Sequence, residues 1–140
     1  APELARRVRA VGDMLPCHLP GTPVLTHGDA SPDQVLYEYS TGRIWLTDFD
    51  RVRLAPAATD LGSYLAEAPS CQRHALLEGY AVHQPVPSDE ELGWAIALSR
   101  LARLADPLRR AHPSWRERIS ADLAAIERIA RSPEKEAGWA

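Results

Sequence analysis

Residues 25–36, Leu25-Thr26-His27-Gly28-Asp29-Ala30-Ser31-Pro32-Asp33-Gln34-Val35-Leu36, and residues 44–50, Ile44-Trp45-Leu46-Thr47-Asp48-Phe49-Asp50, decide how this chain is read. Two short, apolar, strand-like runs each lead to an aspartate. The runs are close in sequence, so a tight hairpin can bring both carboxylates to one edge. A carboxylate so placed can take or orient the proton of a hydroxyl, and a second can ligate a hard divalent cation.

Working outward, Val24-Leu25-Thr26 reads as a short strand and His27 to Asp33 as a loop. Gln34–Tyr39 and Arg43–Thr47 read as paired strands joined by Ser40-Thr41-Gly42. No β-like run follows, and Arg51 to Ala58, with Pro56 inside it, is expected to be loop. Upstream, residues 3–15 carry Leu4, Val8, Val11 and Leu15 at helical spacing, and Pro16, Pro20, Gly21 and Pro23 break that helix.

Downstream the pattern is helical. Thr59 or Asp60 is placed to cap a helix through Leu61, Tyr64 and Leu65. A second helix spans about residues 71–83 and stops before Pro85 and Pro87. Ser88 with Glu91 has the spacing of a capping box ahead of Leu92, Ile96, Leu101, Leu104 and Leu108. Pro107 should kink or restart that helix after Asp106. The last helix, about Pro113 to Arg131, carries Trp115, Ile119, Leu123, Ile126 and Ile129. Trp45, Trp94 and Trp115 are expected in the core, and Trp139 in a disordered tail. The fold class is α+β, a small β-hairpin set against four or five helices.

The 140 residues make one ordinary domain, 1–140, with 45% hydrophobic and 25% charged residues. A net charge of -3 gives no footprint for nucleic acid or an anionic membrane, and no apolar run approaches a membrane span. Cys17 and Cys71 form no disulfide framework, so a reducing cytoplasm is the default location.

His27-Gly28-Asp29-Ala30-Ser31-Pro32-Asp33-Gln34 resembles the catalytic loop of the aminoglycoside phosphotransferase and choline kinase-like enzymes, whose pattern is H-G-D, four variable residues, then N. Asp48-Phe49-Asp50 resembles their metal-binding step, and Ala57-Ala58-Thr59-Asp60-Leu61-Gly62 the segment after it, where an aspartate opens a helix. The resemblance implies a protein-kinase-like C-terminal lobe: a catalytic loop and metal hairpin over residues 24–50 and a helical subdomain over 59–131. It implies an ATP-dependent small-molecule O-phosphotransferase that moves the γ-phosphoryl group to a hydroxyl acceptor. Asp29 would be catalytic. Asp48, Gln34 and Asp50 would serve Mg²⁺, with Gln34 standing where the family has Asn and adding one methylene. His27 would brace the loop, and Asp60 would cap its helix and hold the loop from below.

A kinase also needs a phosphate-covering loop and a lysine over the nucleotide. Lys135 is the sole lysine, and no G-x-G occurs. The chain therefore looks like an isolated C-lobe: an excised fragment, a partner of an N-lobe on another segment or chain, or a degenerate lobe kept for binding or assembly. Alone it is expected to turn over poorly.

Two rival readings carry less. The run Ile44 to Val52 also fits the D-x-D opening of haloacid-dehalogenase-like phosphatases, but the parallel βαβ alternation they need is missing, and His27-Gly28-Asp29 would go unexplained. Cys17-His18 and Cys71-x-x-His74 permit zinc, yet small apolar cysteines and surface histidines are the plainer reading. Glu67, Glu78, Asp89, Glu90 and Glu91 are the acids that could meet a cationic acceptor, though acids on helices are usually solvated.

Overall fold

The computed structural model describes residues 2–136, and Trp139 lies outside them. Helix α1 is Pro2–Met14, with proline in the first turn, where its missing N–H is no loss. Strand β1 is Pro23–Thr26, β2 Val35–Glu38, β3 Arg43–Leu46 and β4 Arg53–Pro56. Then come α2 (Ala58–Glu67), α3 (Ser70–Ala81), α4 (Asp89–Arg103), α5 (Asp106–Arg109), α6 (Trp115–Arg131) and α7 (Pro133–Glu136).

The strands make two small antiparallel sheets. β2 and β3 form the expected hairpin, in the register Val35↔Leu46 to Glu38↔Arg43. β1 pairs with β4, from Pro23↔Pro56 to Thr26↔Arg53. This second pairing corrects the loop expected over Arg51 to Ala58. The prolines sit at the outer end of a two-stranded ribbon, where a missing ladder donor costs little. At the inner end the buried Thr26 hydroxyl donates to the Arg53 carbonyl at 2.9 Å.

The core lies among the helices. Leu65, Leu92, Leu123, Ile126, Ile129 and Val11 are its largest fully buried side chains. α2 and α4 meet at Gly62, where a Cβ would stand 2.3 Å from the Ala95 Cβ, so only glycine permits that approach. The capping box forms as the sequence predicts: the Glu91 amide donates to the Ser88 hydroxyl, and the Ser88 amide donates to the Glu91 carboxylate at 2.7 Å. Pro107 restarts the chain as the separate α5, and Ser132-Pro133 ends α6 but opens α7.

Trp94 and Trp115 pack against the core, whereas Trp45 is half exposed. Leu36 and Trp45 pair on one face of the hairpin, and Tyr37 and Ile44 pair on the other. All four are more than half exposed, so neither hairpin face is covered by the described residues. No helix among them is long and apolar enough to cross a membrane.

Candidate active site

The loop between β1 and β2 is locked onto the segment between β3 and β4. Gly28 has φ +85°, a conformation that costs glycine little. A Cβ there would lie 2.0 Å from the Arg51 carbonyl oxygen. The His27-Gly28-Asp29 backbone therefore rests directly on the Asp48-Phe49-Asp50-Arg51 turn.

His27, almost fully buried, ties the same segments. Its Nε2 donates to the Thr47 carbonyl at 2.7 Å, which sets the tautomer, and its ring tilts against Phe49 with centroids 4.9 Å apart. The Thr47 amide in turn donates to the Gln34 carbonyl at 3.1 Å.

Asp60 holds the loop from α2. Its carboxylate accepts the His27 amide at 2.6 Å and the Gly28 amide at 2.9 Å. It does not cap its helix: Ala57 occupies the cap position, and no side chain bonds there. An Asp in the first turn is well placed by the helix dipole, and here its oxygens serve the neighbouring loop.

Asp29 lines a cavity of about 590 Å³. One carboxylate oxygen is 2.6 Å from Arg103 and the other 3.2 Å from Arg51. Arg103 also reaches Glu67 at 2.8 Å and the Ser63 hydroxyl at 3.1 Å, and it bonds the Ser99 hydroxyl. One guanidinium thus fastens the loop to α2 and α4.

Asp48 sits in the left-handed region at φ 65°, ψ 59°. Non-glycine residues adopt it at some cost, and such strain recurs at working sites. The Gln34 amide donates to the Asp48 carboxylate at 3.4 Å, while the Gln34 Oε1 is buried without a partner. It is the amide nitrogen that faces Asp48, so Gln34 would have to turn its amide over before its oxygen and the Asp48 carboxylate could serve together as oxygen ligands for Mg²⁺. Asp50 is exposed and makes no hydrogen bond or ion pair among the described residues. No group of three His, Cys, Asp or Glu side chains among them could hold a metal. His74 pairs with Glu78 at 3.0 Å, and Cys17 and Cys71 are both exposed and free.

A model of the phosphotransferase enzyme family, APH, matches residues 1–92. The chain belongs to this family. Its fold is similar to that of a solved choline/ethanolamine kinase family protein from Mesorhizobium loti, with a TM-score of 0.60 and 19% identity. That match covers 96% of this chain and 48% of the other, so the chain spans about half the length of the solved structure it matches. At this identity the likeness is one of fold. No curated protein matches the chain.

Within the APH fold the structure brings His27, Asp29 and Asp60 together around one loop, and Gln34 and Asp48 together at the base of the hairpin. The two groups meet through Gly28, Arg51 and the His27–Thr47 bond. Arg51 and Arg103 are site residues that the sequence alone does not single out. Arg51 had a local signal, three residues beyond Asp48. Arg103 is 74 residues from its partner, and nothing near it in the chain announces the contact.

Proposed function

We propose that this chain is the catalytic C-lobe of an ATP-dependent phosphotransferase that moves the γ-phosphoryl group to the hydroxyl of a small molecule. The carrying observation is the packing of the Asp29 loop directly onto the Asp48 turn, with Asp29 opening into a cavity of small-molecule size. Asp29 would orient the acceptor hydroxyl and take its proton. The exposed Arg51 can swing aside and free one Asp29 oxygen for that hydroxyl, while Arg103 keeps the other in place. Asp48, with the Gln34 amide oxygen, would hold Mg²⁺, and Asp50 would face its water shell. The ion, when bound, supplies positive charge against the phosphoryl oxygens.

His27 and Asp60 act on the loop and not on substrate. The uncovered hairpin faces, with Leu36, Tyr37, Ile44 and Trp45, offer a platform for the nucleotide and for a strand-rich N-lobe, which would bring the missing lysine and phosphate loop. Such a lobe would come from another segment or another chain.

The test is thermal protection by Mg²⁺-ATP, with and without a matching N-lobe. Protection that Asp48→Ala abolishes supports the reading. No nucleotide response in either setting favours a non-catalytic lobe used for binding or assembly. The pairing of both Asp29 oxygens with arginines speaks for that alternative.

A further inference from the structure

The cavity beside Asp29 is basic. Arg51, Arg53, Arg103 and Arg109 line it, against the two acids Asp29 and Asp106. Both acids are already neutralised from within that set: Asp29 by Arg51 and Arg103, Asp106 by Arg109 at 3.3 Å. Arg53 makes no side-chain hydrogen bond or ion pair among the described residues.

No Trp, Tyr or Phe lines the cavity, so it offers no aromatic face to a quaternary ammonium. None of the five helix acids that could have met a cation, Glu67 to Glu91 in the sequence reading, lines it either. Glu67 is spent on Arg103, Glu78 on His74 and Glu91 on the Ser88 cap. A cationic acceptor would therefore meet the uncompensated charge of Arg53 and only carboxylates already paired with arginine. A carboxylate or phosphate would meet guanidinium groups whose planar forks match its oxygens.

We propose that the acceptor is an anionic small molecule, a hydroxyl compound bearing a carboxylate or phosphate, anchored by Arg53 and Arg109 at the cavity that Asp29 faces. The acceptor role rests on the phosphotransferase reading, but the anion site can be tested apart from it. Both anchors are on the surface, so their truncation spares the core.

The probe is inorganic phosphate, titrated against the chain and followed by phosphorus NMR, with choline and kanamycin as cationic controls followed by calorimetry. The double variant Arg53→Ala/Arg109→Ala should keep the parent melting temperature and bind phosphate about tenfold more weakly, the loss expected for charge-assisted contacts. Unchanged phosphate binding in the double variant, or tighter binding of either cation than of phosphate, overturns the proposal. Mg²⁺-ATP protection, measured alongside with Asp48→Ala, separates the two readings. Its presence without a phosphate response removes the anionic acceptor and leaves the kinase. Its absence both with and without a matching N-lobe, alongside a phosphate response, removes the kinase reading, and the acceptor role with it, leaving a bare anion site.

Discussion

The Arg103 guanidinium stands 2.6 Å from one oxygen of Asp29 and 2.8 Å from one oxygen of Glu67. The three side chains belong to the end of α4, the loop between β1 and β2, and the end of α2, so a single cation joins that loop to two helices of the core. Arg103 and Asp29 are each about a quarter exposed, which leaves the pair less screened than a surface ion pair.

Arg103→Ala should cost about 1–3 kcal/mol, because it leaves the part-buried Asp29 with only the exposed Arg51, and Glu67 and the buried Ser63 hydroxyl without their partner. Arg103→Lys should recover part of that, since one ammonium cannot reproduce the forked contacts to Asp29, Glu67 and Ser63. Urea midpoints of the three proteins measure it, and equal midpoints for wild type and Arg103→Ala contradict it.

Asp60→Ala removes the acceptor of two backbone amides, His27 at 2.6 Å and Gly28 at 2.9 Å. The expected loss is about 1–3 kcal/mol, since both contacts end on a carboxylate and both donors would lack a partner. The local signature is more specific than the global one. Exchange of the His27 and Gly28 amides should accelerate far more than exchange in α4 or α6, and uniform acceleration would point to general unfolding instead.

The helical half was largely legible because its signals are local. Ile119, Leu123, Ile126 and Ile129 are spaced to face one side of a helix, and all are buried. Ser88 and Glu91 meet within one turn. The β2–β3 hairpin was legible for the same reason. The β1–β4 ribbon was legible only by half: Val24-Leu25-Thr26 reads as a strand, but its partner β4 lies beyond the whole hairpin and Pro56 disguises it as loop. At the site, the motif pointed to His27, Asp29, Asp48 and Asp60 and to Asp60 holding the loop, but not to Asp60 leaving its own helix uncapped. That follows from where α2 docks. The arginines around Asp29 are set by tertiary approach, as is the exposure of Trp45, whose neighbours on the hairpin leave it uncovered.

Gly62→Ala tests the α2–α4 approach. The new methyl would fall 2.3 Å from the Ala95 Cβ and 2.7 Å from the Ala95 carbonyl carbon, a contact that neither backbone can accept without moving. The overpacking penalty should fall at the upper end of about 1–3 kcal/mol, against the roughly 1 kcal/mol that helix propensity alone would return, leaving a net destabilisation. The paired change Gly62→Ala/Ala95→Gly should recover part of the loss by removing the facing methyl. If Gly62→Ala is neutral or stabilising by thermal melt, the two helices are not in contact there.

Acid stability should depend on the link between α1 and α6. Arg7 Nε meets the Glu127 carboxylate at 3.0 Å and Arg7 also donates to Ser120 at 3.1 Å. The hydrogen bond from Arg7 holds the Glu127 carboxyl below its ordinary value of 4.5, and Arg7 is raised by the same bond. Because the folded value of Glu127 lies below the unfolded one, the unfolded chain takes up the proton first as pH falls. The stabilisation is therefore complete above the ordinary carboxylate range and drains away as pH drops through the folded value. The Arg7 end moves further from neutrality and adds nothing to the acid limb. For a pair exposed by more than a quarter on each side, the contribution at neutral pH should be at most about 1 kcal/mol. Glu127→Gln should lower the urea midpoint at pH 7, and the gap to wild type should narrow progressively as the pH is taken below the ordinary value of 4.5. A gap between the two proteins that stays constant from pH 7 to pH 3 assigns the effect of Glu127 to packing and not to its charge.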